Sequence, residues 1–382
     1  MKIADALEPA LVFSQDTPVS KIVSEMRRKN RQEALIFDGK KYAGMISARD
    51  LAKRTINNPD TVMIKTLKSA INKITPFSPE TDPREIVETI LINGYTSVPV
   101  KQGDELKVLT KLGLIGLLPK DTLKGKKASD VSVFPYCITA SDSLAVARSI
   151  IREMRAFRVA IVNENGRVDG IIDSIDLLRT QINKEKSSKG ELSGKKVKLR
   201  DVPASGTSLM QGTIMKVSPD TALEEVVGRM IRTKTPVVVV EDSKLEGMIT
   251  PENILKLLSK QVSGVYVRVT GQQKEDVFLR SVIDEELRNE IRKLGKLLPI
   301  DYMTLDVKKF RESGRRAKYS LKAKLVTQKG LFVSQATAWD ITKAMHGLMG
   351  RLEREIVRKK GKMRVYRRGP VSHYTDIKLE RA

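Results

Sequence analysis

The chain has 382 residues, 30% of them charged, 40% hydrophobic and 4% aromatic, and carries a formal net charge of +24. That length predicts two or three domains, and a positive excess of this size calls for a polyanionic partner or an acidic surface. One cysteine, Cys137, excludes an intramolecular disulfide, and with only two histidines it leaves too few soft ligands for a zinc site. No apolar run is long enough to span a bilayer and Met1-Lys2-Ile3-Ala4-Asp5 begins no signal peptide, so the expected location is cytoplasmic, away from membranes.

From the N-terminus, a single pattern recurs four times. It closes on Gly44-Met45-Ile46-Ser47-Ala48-Arg49-Asp50-Leu51, and returns at Leu109-Thr110-Lys111-Leu112-Gly113, Gly170-Ile171-Ile172-Asp173-Ser174-Ile175-Asp176-Leu177 and Gly247-Met248-Ile249-Thr250-Pro251-Glu252-Asn253-Ile254. Ser47, Thr110, Asp173 and Thr250 correspond, at spacings of 63, 63 and 77 residues, and a fixed period of this size means repeated supersecondary units. Each unit opens with a turn such as Phe13-Ser14-Gln15-Asp16-Thr17-Pro18 or Val217-Ser218-Pro219-Asp220-Thr221-Ala222, where Ser, Asp or Thr is expected to cap a short amphipathic helix. Between opening and close stands a short apolar run, such as Ala34-Leu35-Ile36-Phe37 or Val237-Val238-Val239-Val240, read as a buried strand. Cys137 is expected among these core residues. Lys120–Lys127 reads as a short polar connector, and Ile182–Val197 is too polar to build a core and reads as a flexible insert that accounts for the longer last spacing.

The helix-strand-strand-helix unit at four in-phase positions resembles the CBS domain, so the chain is expected to hold two Bateman modules, at 1–119 and 120–261. In that family the closing Ser or Thr contacts phosphate and the Asp three residues later holds ribose hydroxyls of an adenine nucleotide. The resemblance implies an AMP, ADP or ATP site at Ser47 and Asp50 in repeat one and at Thr250 and Asn253 in repeat four. Repeat two keeps Thr110 but has Gly113 where the carboxylate would be. Repeat three has Asp173 at the phosphate position, where its charge opposes a polyphosphate, while Asp176 remains able to hold a nucleoside. The same four positions also read as plain helix N-caps of a ligand-free scaffold.

Past Lys260 the period changes. Residues 262–382 hold 28 Lys and Arg against 14 Asp and Glu, a net of +14 out of the chain's +24. Val265-Tyr266-Val267-Arg268-Val269 alternates as a strand that ends at Gly271. Over Asp276–Leu298, Leu279, Ile283, Leu287, Ile291, Leu294 and Leu298 recur at three and four, predicting a long amphipathic helix. Strands follow at Ile300–Phe310, Arg316–Thr327 and Leu331–Ala338, with turns at Glu312-Ser313-Gly314 and Gln328-Lys329-Gly330. A last helix from the Asp340 cap to about Lys362 buries Ile341, Met345, Leu348, Leu352 and Ile356. The fold class is therefore α+β/α/β, tandem CBS repeats followed by a β-α-β-β-β-α domain at 262–362 and a basic flexible tail at 363–382.

That order, with Ala336-Thr337-Ala338-Trp339-Asp340-Ile341-Thr342-Lys343-Ala344-Met345 and Arg351-Leu352-Glu353-Arg354-Glu355-Ile356-Val357-Arg358-Lys359-Lys360, resembles the ribosome hibernation-promoting factor family. Trp339 beside the cap, and Gly347 and Gly350 within the helix, depart from its pattern. Cations recur on three elements: Arg288, Arg292 and Lys296 on the first helix, Arg316, Lys318, Lys322 and Lys324 on one face of a strand, and Arg351, Arg354, Arg358, Lys359 and Lys360 on the last helix. Together they predict a continuous polyphosphate-binding surface. No catalytic constellation or phosphate loop is present, no cofactor is required, and His346 reads as structural, without a carboxylate partner in sequence. The expected function is a ribosome hibernation or subunit-dimerisation factor. Its partners would be the small subunit and its ribosomal RNA, adenine nucleotide would be its regulator, and CBS modules would mediate homodimer formation. A nucleotide-responsive DNA- or mRNA-binding regulator, or an adaptor controlling a separate enzyme or transporter, are the alternatives.

Overall fold

Each of the four apolar runs forms a strand that hydrogen-bonds antiparallel to the one after it. Glu33–Asp38 pairs with Lys41–Ser47, Ser97–Gln102 with Glu105–Thr110, Arg158–Val162 with Val168–Asp173, and Val238–Glu241 with Leu245–Ile249. The computed structural model describes residues 2–54, 56, 58–154, 156–178, 202–204, 214–258, 260–262, 264–271, 277–311 and 317–360. The expected insert, the basic tail, the turn at Glu312-Ser313-Gly314 and Arg316 lie outside them, as do the side chains of Leu279 and Lys360.

The helices that precede these strand pairs, Val19–Arg28, Pro83–Asn93, Leu144–Glu153 and Leu223–Thr233, each bury one stripe. In the first, Val19, Ile22, Val23 and Met26 are buried, the spacing that places side chains on one helical face. Their N-termini depart from expectation. Asp82 caps the second helix, accepting from the Arg84 N–H at 2.8 Å, but the other three have no side-chain cap. Backbone carbonyls satisfy first-turn donors there instead: Val19 N–H donates to Val62 at 3.0 Å, Leu144 to Val202 at 2.8 Å and Leu223 to Lys126 at 2.9 Å. Side-chain capping throughout was therefore the wrong expectation, because a neighbouring length of chain already supplies the acceptors. One such length is the connector, whose Lys127 also pairs with Asp220 at 2.7 Å.

The leading segments complete each module. Leu7–Pro9 pairs antiparallel with Glu105–Thr110 of repeat two, and Val133 bridges to Met248 of repeat four. Leu35, Met45 and Val108 form a core shared by repeats one and two. Cys137, Ala160, Val239 and Met248 do the same between repeats three and four. Cys137 is buried, as expected, and burial pushes its thiol up to about 12, which leaves it a small apolar filler.

The main division between compact units falls between Leu255 and Lys256. The second unit is a five-stranded sheet in the order Lys260–Val262, Val265–Thr270, Ile300–Arg311, Ala317–Thr327, Gly330–Ala338. Val265–Thr270 and Ile300–Arg311 run parallel, a pairing that needs a crossover, and the helix Val277–Leu297 provides it. The short stretch Lys260–Val262 adds an edge strand antiparallel to Val265–Thr270. Gly271 ends that strand at φ +78°, where a Cβ would collide with the Val307 carbonyl oxygen. Both helices, Val277–Leu297 and Ile341–Lys360, cover one face of the sheet. Ile283, Leu287, Ile291 and Leu294 join Met345, Leu348, Leu352 and Ile356 over Leu321, Ala323 and Leu325.

Candidate nucleotide and nucleic-acid surfaces

All four closing positions fall at the junction of a strand and a short helix, and all four are helix caps. Ser47 Oγ accepts from the Asp50 N–H at 3.1 Å and donates to the Asp50 carboxylate at 2.7 Å. The same carboxylate takes the Asn72 amide at 3.0 Å and the Lys53 ammonium at 3.1 Å. Thr250 donates its hydroxyl and its N–H to the Asn253 side-chain oxygen, at 2.6 and 2.8 Å. Thr110 caps Gly113 at 3.0 Å and reaches Glu8 at 3.4 Å. Asp173 caps Ile175 and Asp176 at 2.9 and 3.2 Å, while its other oxygen takes the Gln32 amide at 2.7 Å and the Asp176 carboxylate accepts the Asp173 N–H at 3.2 Å. A hydroxyl and a carboxylate are thus adjacent in repeat one, and a hydroxyl and an amide oxygen in repeat four.

Around Asp50 the first module gathers groups that no repeat pattern announces. Tyr95, half-buried, is raised by burial and then by the Asp50 and Glu33 charges. Glu33, buried, is raised by that burial against donors from Thr96 and Ser97. Burial alone would raise Asp50 also, but Lys53, Ser47, Arg49 and Asn72 outweigh it and hold its carboxyl below the ordinary 3.8. A lowered folded value means the unfolded chain binds that proton more tightly. Asp50 therefore contributes stability that is present above pH 3.8 and lost as pH falls through the lower folded value. Glu33 has the opposite sign, favouring the fold at low pH and losing that contribution as pH rises through its raised value. Urea unfolding followed against pH should show the Asp50-linked loss below 3.8 in the wild type and its absence in Asp50→Asn.

The modules meet through paired closing helices. Lys111 of repeat two, 7% exposed, pairs with Glu252 of repeat four at 2.6 Å. Its ammonium lies 5.2 Å from the centre of the Phe157 ring, and the Arg49 guanidinium lies 4.3 Å from the same ring. Arg148 donates to the carbonyls of Ala52 and Arg54 at 3.2 and 2.8 Å, and Ile175 and Leu178 enter the core of repeat one. Repeat one thus packs on repeat three and repeat two on repeat four, within one chain.

In the second unit Arg288, Arg292 and Lys296 are exposed along the first helix, and Arg351, Arg354, Arg358 and Lys359 along the last. Arg351 also donates to the Gln335 carbonyl on the edge strand, and Lys359 lies 4.5 Å from the Phe332 ring centre. The strand cations are placed differently. Lys318, Lys322 and Lys324 alternate with Leu321, Ala323 and Leu325, which pack under the helices, so these lysines lie on the open face of the sheet. The expected continuous cationic surface is in fact two, one on each side of the two-layer unit. Period alone assigned each cation to an outer face; it could not say that the helices and the strand expose opposite sides.

His346 does have carboxylate partners, contrary to the sequence reading, because the helix pairing brings them from 60 and 56 residues away: Glu286 at 3.7 Å and Glu290 at 3.9 Å. These three could group around a cation, but the Lys293 ammonium already sits 2.6 Å from Glu290. Among the described residues no helix is long and apolar enough to cross a membrane.

The CBS domain family matches residues 3–57, 128–183 and 206–260, and the hibernation factor Hib C-terminal domain family matches residues 266–372. Neither family is enzymatic. Repeat two lies outside the matched segments, although its helix Pro83–Asn93, its two strands and its helix Lys111–Gly116 repeat the unit. An uncharacterized protein of Methanocaldococcus jannaschii is 22% identical over 335 residues, covering 85% of this chain and 78% of its own length. The solved structure of another protein of that organism, described as a candidate archaeal homologue of the γ subunit of AMPK, superposes with a TM-score of 0.55 at 17% identity. It covers 68% of this chain and 100% of its own, which shows the shared tandem fold. A CBS protein solved in complex with AMP aligns over 35% of this chain and 96% of its own, at 20% identity and a TM-score of 0.28.

Proposed function

We propose that this chain, in which tandem CBS domains precede a hibernation factor Hib C-terminal domain, is a ribosome hibernation factor that responds to adenine nucleotide. The observation that carries this reading is the coincidence of the Hib match at 266–372 with a unit whose helices and open sheet face both present cations. Small-subunit ribosomal RNA is the polyanion it would bind, with an affinity that falls steeply with salt. The adenine nucleotide would bind at Ser47 and Asp50, where the hydroxyl, the carboxylate and Tyr95 are gathered, and at Thr250 and Asn253, where an amide oxygen replaces the carboxylate. Any homodimer would use a surface other than the closing helices that join the two modules.

Calorimetric titration with AMP, ADP and ATP tests the sensor. Asp50→Ala removes a charge-assisted bond to the ribose, and about 1.5–3 kcal/mol lost there corresponds to roughly 10–150-fold weaker binding. No heat of binding for any of the three in the wild type would leave the CBS unit a scaffold.

A further inference from the structure

The open face of the C-terminal sheet carries exposed aromatic side chains among its lysines. Phe310 is 49% exposed and Trp339 is 50% exposed, in a chain with only 4% aromatic residues and a single tryptophan. They share a row. Phe310 stands opposite Lys318 in the ladder, Tyr319 stands opposite Ala338, and the Lys318 ammonium lies 5.3 Å from the centre of the Trp339 ring. The two rings are therefore two strand spacings apart, about 10 Å, with one ammonium between them. In successive rows of the same face stand Lys308, Lys322 and Lys324, and Asp306 is the one acid among the described residues of those rows.

A lone exposed aromatic on a protein surface is ordinary. Two in one row, each beside the same lysine and on the uncovered side of a sheet whose other side holds the core, make a different arrangement. A positively charged sheet that offers flat rings to solvent fits a polyanion with accessible π-faces. A duplex keeps its bases stacked inside and offers only backbone and groove edges, whereas unpaired bases can lie on a ring. We infer that this face binds single-stranded RNA, with Phe310 and Trp339 each stacking a base and Lys318, Lys322 and Lys324 neutralising its phosphates. This rests on the reading of the unit as an RNA binder and narrows it to unpaired segments.

Because Trp339 is the only tryptophan, its fluorescence reports contact at this face directly. The full-length protein is titrated with a single-stranded oligoadenylate and with a blunt RNA duplex of matched charge, followed by tryptophan emission and by anisotropy of labelled RNA. The single strand should quench Trp339 and bind more tightly than the duplex. Phe310→Ala and Trp339→Ala should each weaken single-strand affinity about 5–150-fold, the usual loss for one stacked base, without changing the slope of log K against log salt. Trp339→Phe should restore most of the loss. RNA binding with unquenched Trp339 and wild-type affinity in Phe310→Ala would overturn the stacking face and leave the RNA reading standing. Failure of the wild type to bind either RNA would overturn both.

Discussion

Replacing Glu252 with leucine should cost the CBS unit about 3–5 kcal/mol of stability, the range found when one member of a buried ion pair is removed. Glu252 leaves behind a Lys111 side chain that is 9% exposed and whose ammonium shares the Phe157 ring with Arg49. Burial already lowers the Lys111 pKa despite the Glu252 charge, so without that charge the ammonium must deprotonate or draw in water. The double variant Lys111→Met/Glu252→Leu should recover most of the loss, because exchanging both charges for apolar groups of similar volume is often nearly neutral. Denaturant midpoints of the three proteins decide it. A loss under about 1 kcal/mol in Glu252→Leu would place the pair with solvated ones and remove it as the tie between repeats two and four.

The second large effect is expected at the open sheet face. Lys318, Lys322 and Lys324 changed together to alanine should weaken binding to small-subunit RNA by roughly 150-fold, at about 1 kcal/mol for each contact. The salt slope should flatten by about 2, at ~0.7 counterions for each contact with a single strand. The matching triple, Arg288, Arg292 and Lys296 to alanine, alters the opposite side of the unit and should cost less. Equal losses from both triples would mean that RNA wraps both faces, and a loss from the helix triple alone would move the interface to the helices.

Periodicity made much of the architecture legible. Spacings of 63, 63 and 77 placed four equivalent caps, and each stands at a strand-to-helix junction. The apolar sets of both long helices are buried wherever their side chains are described, because period 3.6 fixes a helical face regardless of what covers it. What periodicity could not supply was contact between distant segments. Val62, Val202 and Lys126 satisfy helix ends through backbone carbonyls, which leave no mark in residue type. The Lys111–Glu252 pair joins residues 141 apart, and each reads in sequence as an ordinary solvated charge. His346 gained its carboxylates in the same way, from another helix. At the closing motifs the hydroxyl and carboxylate positions could be read from the repeat, whereas Asn72 and Tyr95 around Asp50 could not, since no like residues stand in phase with them.

Ribosome binding is tested by sedimentation of the full-length protein with purified small and large ribosomal subunits through sucrose gradients at low and at raised salt, with and without adenine nucleotide. Co-migration with the small subunit is expected at low salt, with release as salt rises and loss of co-migration in the Lys318, Lys322 and Lys324 triple variant. Protein remaining at the top of the gradient under every condition, or co-migration that neither salt nor the triple variant disturbs, would contradict that expectation.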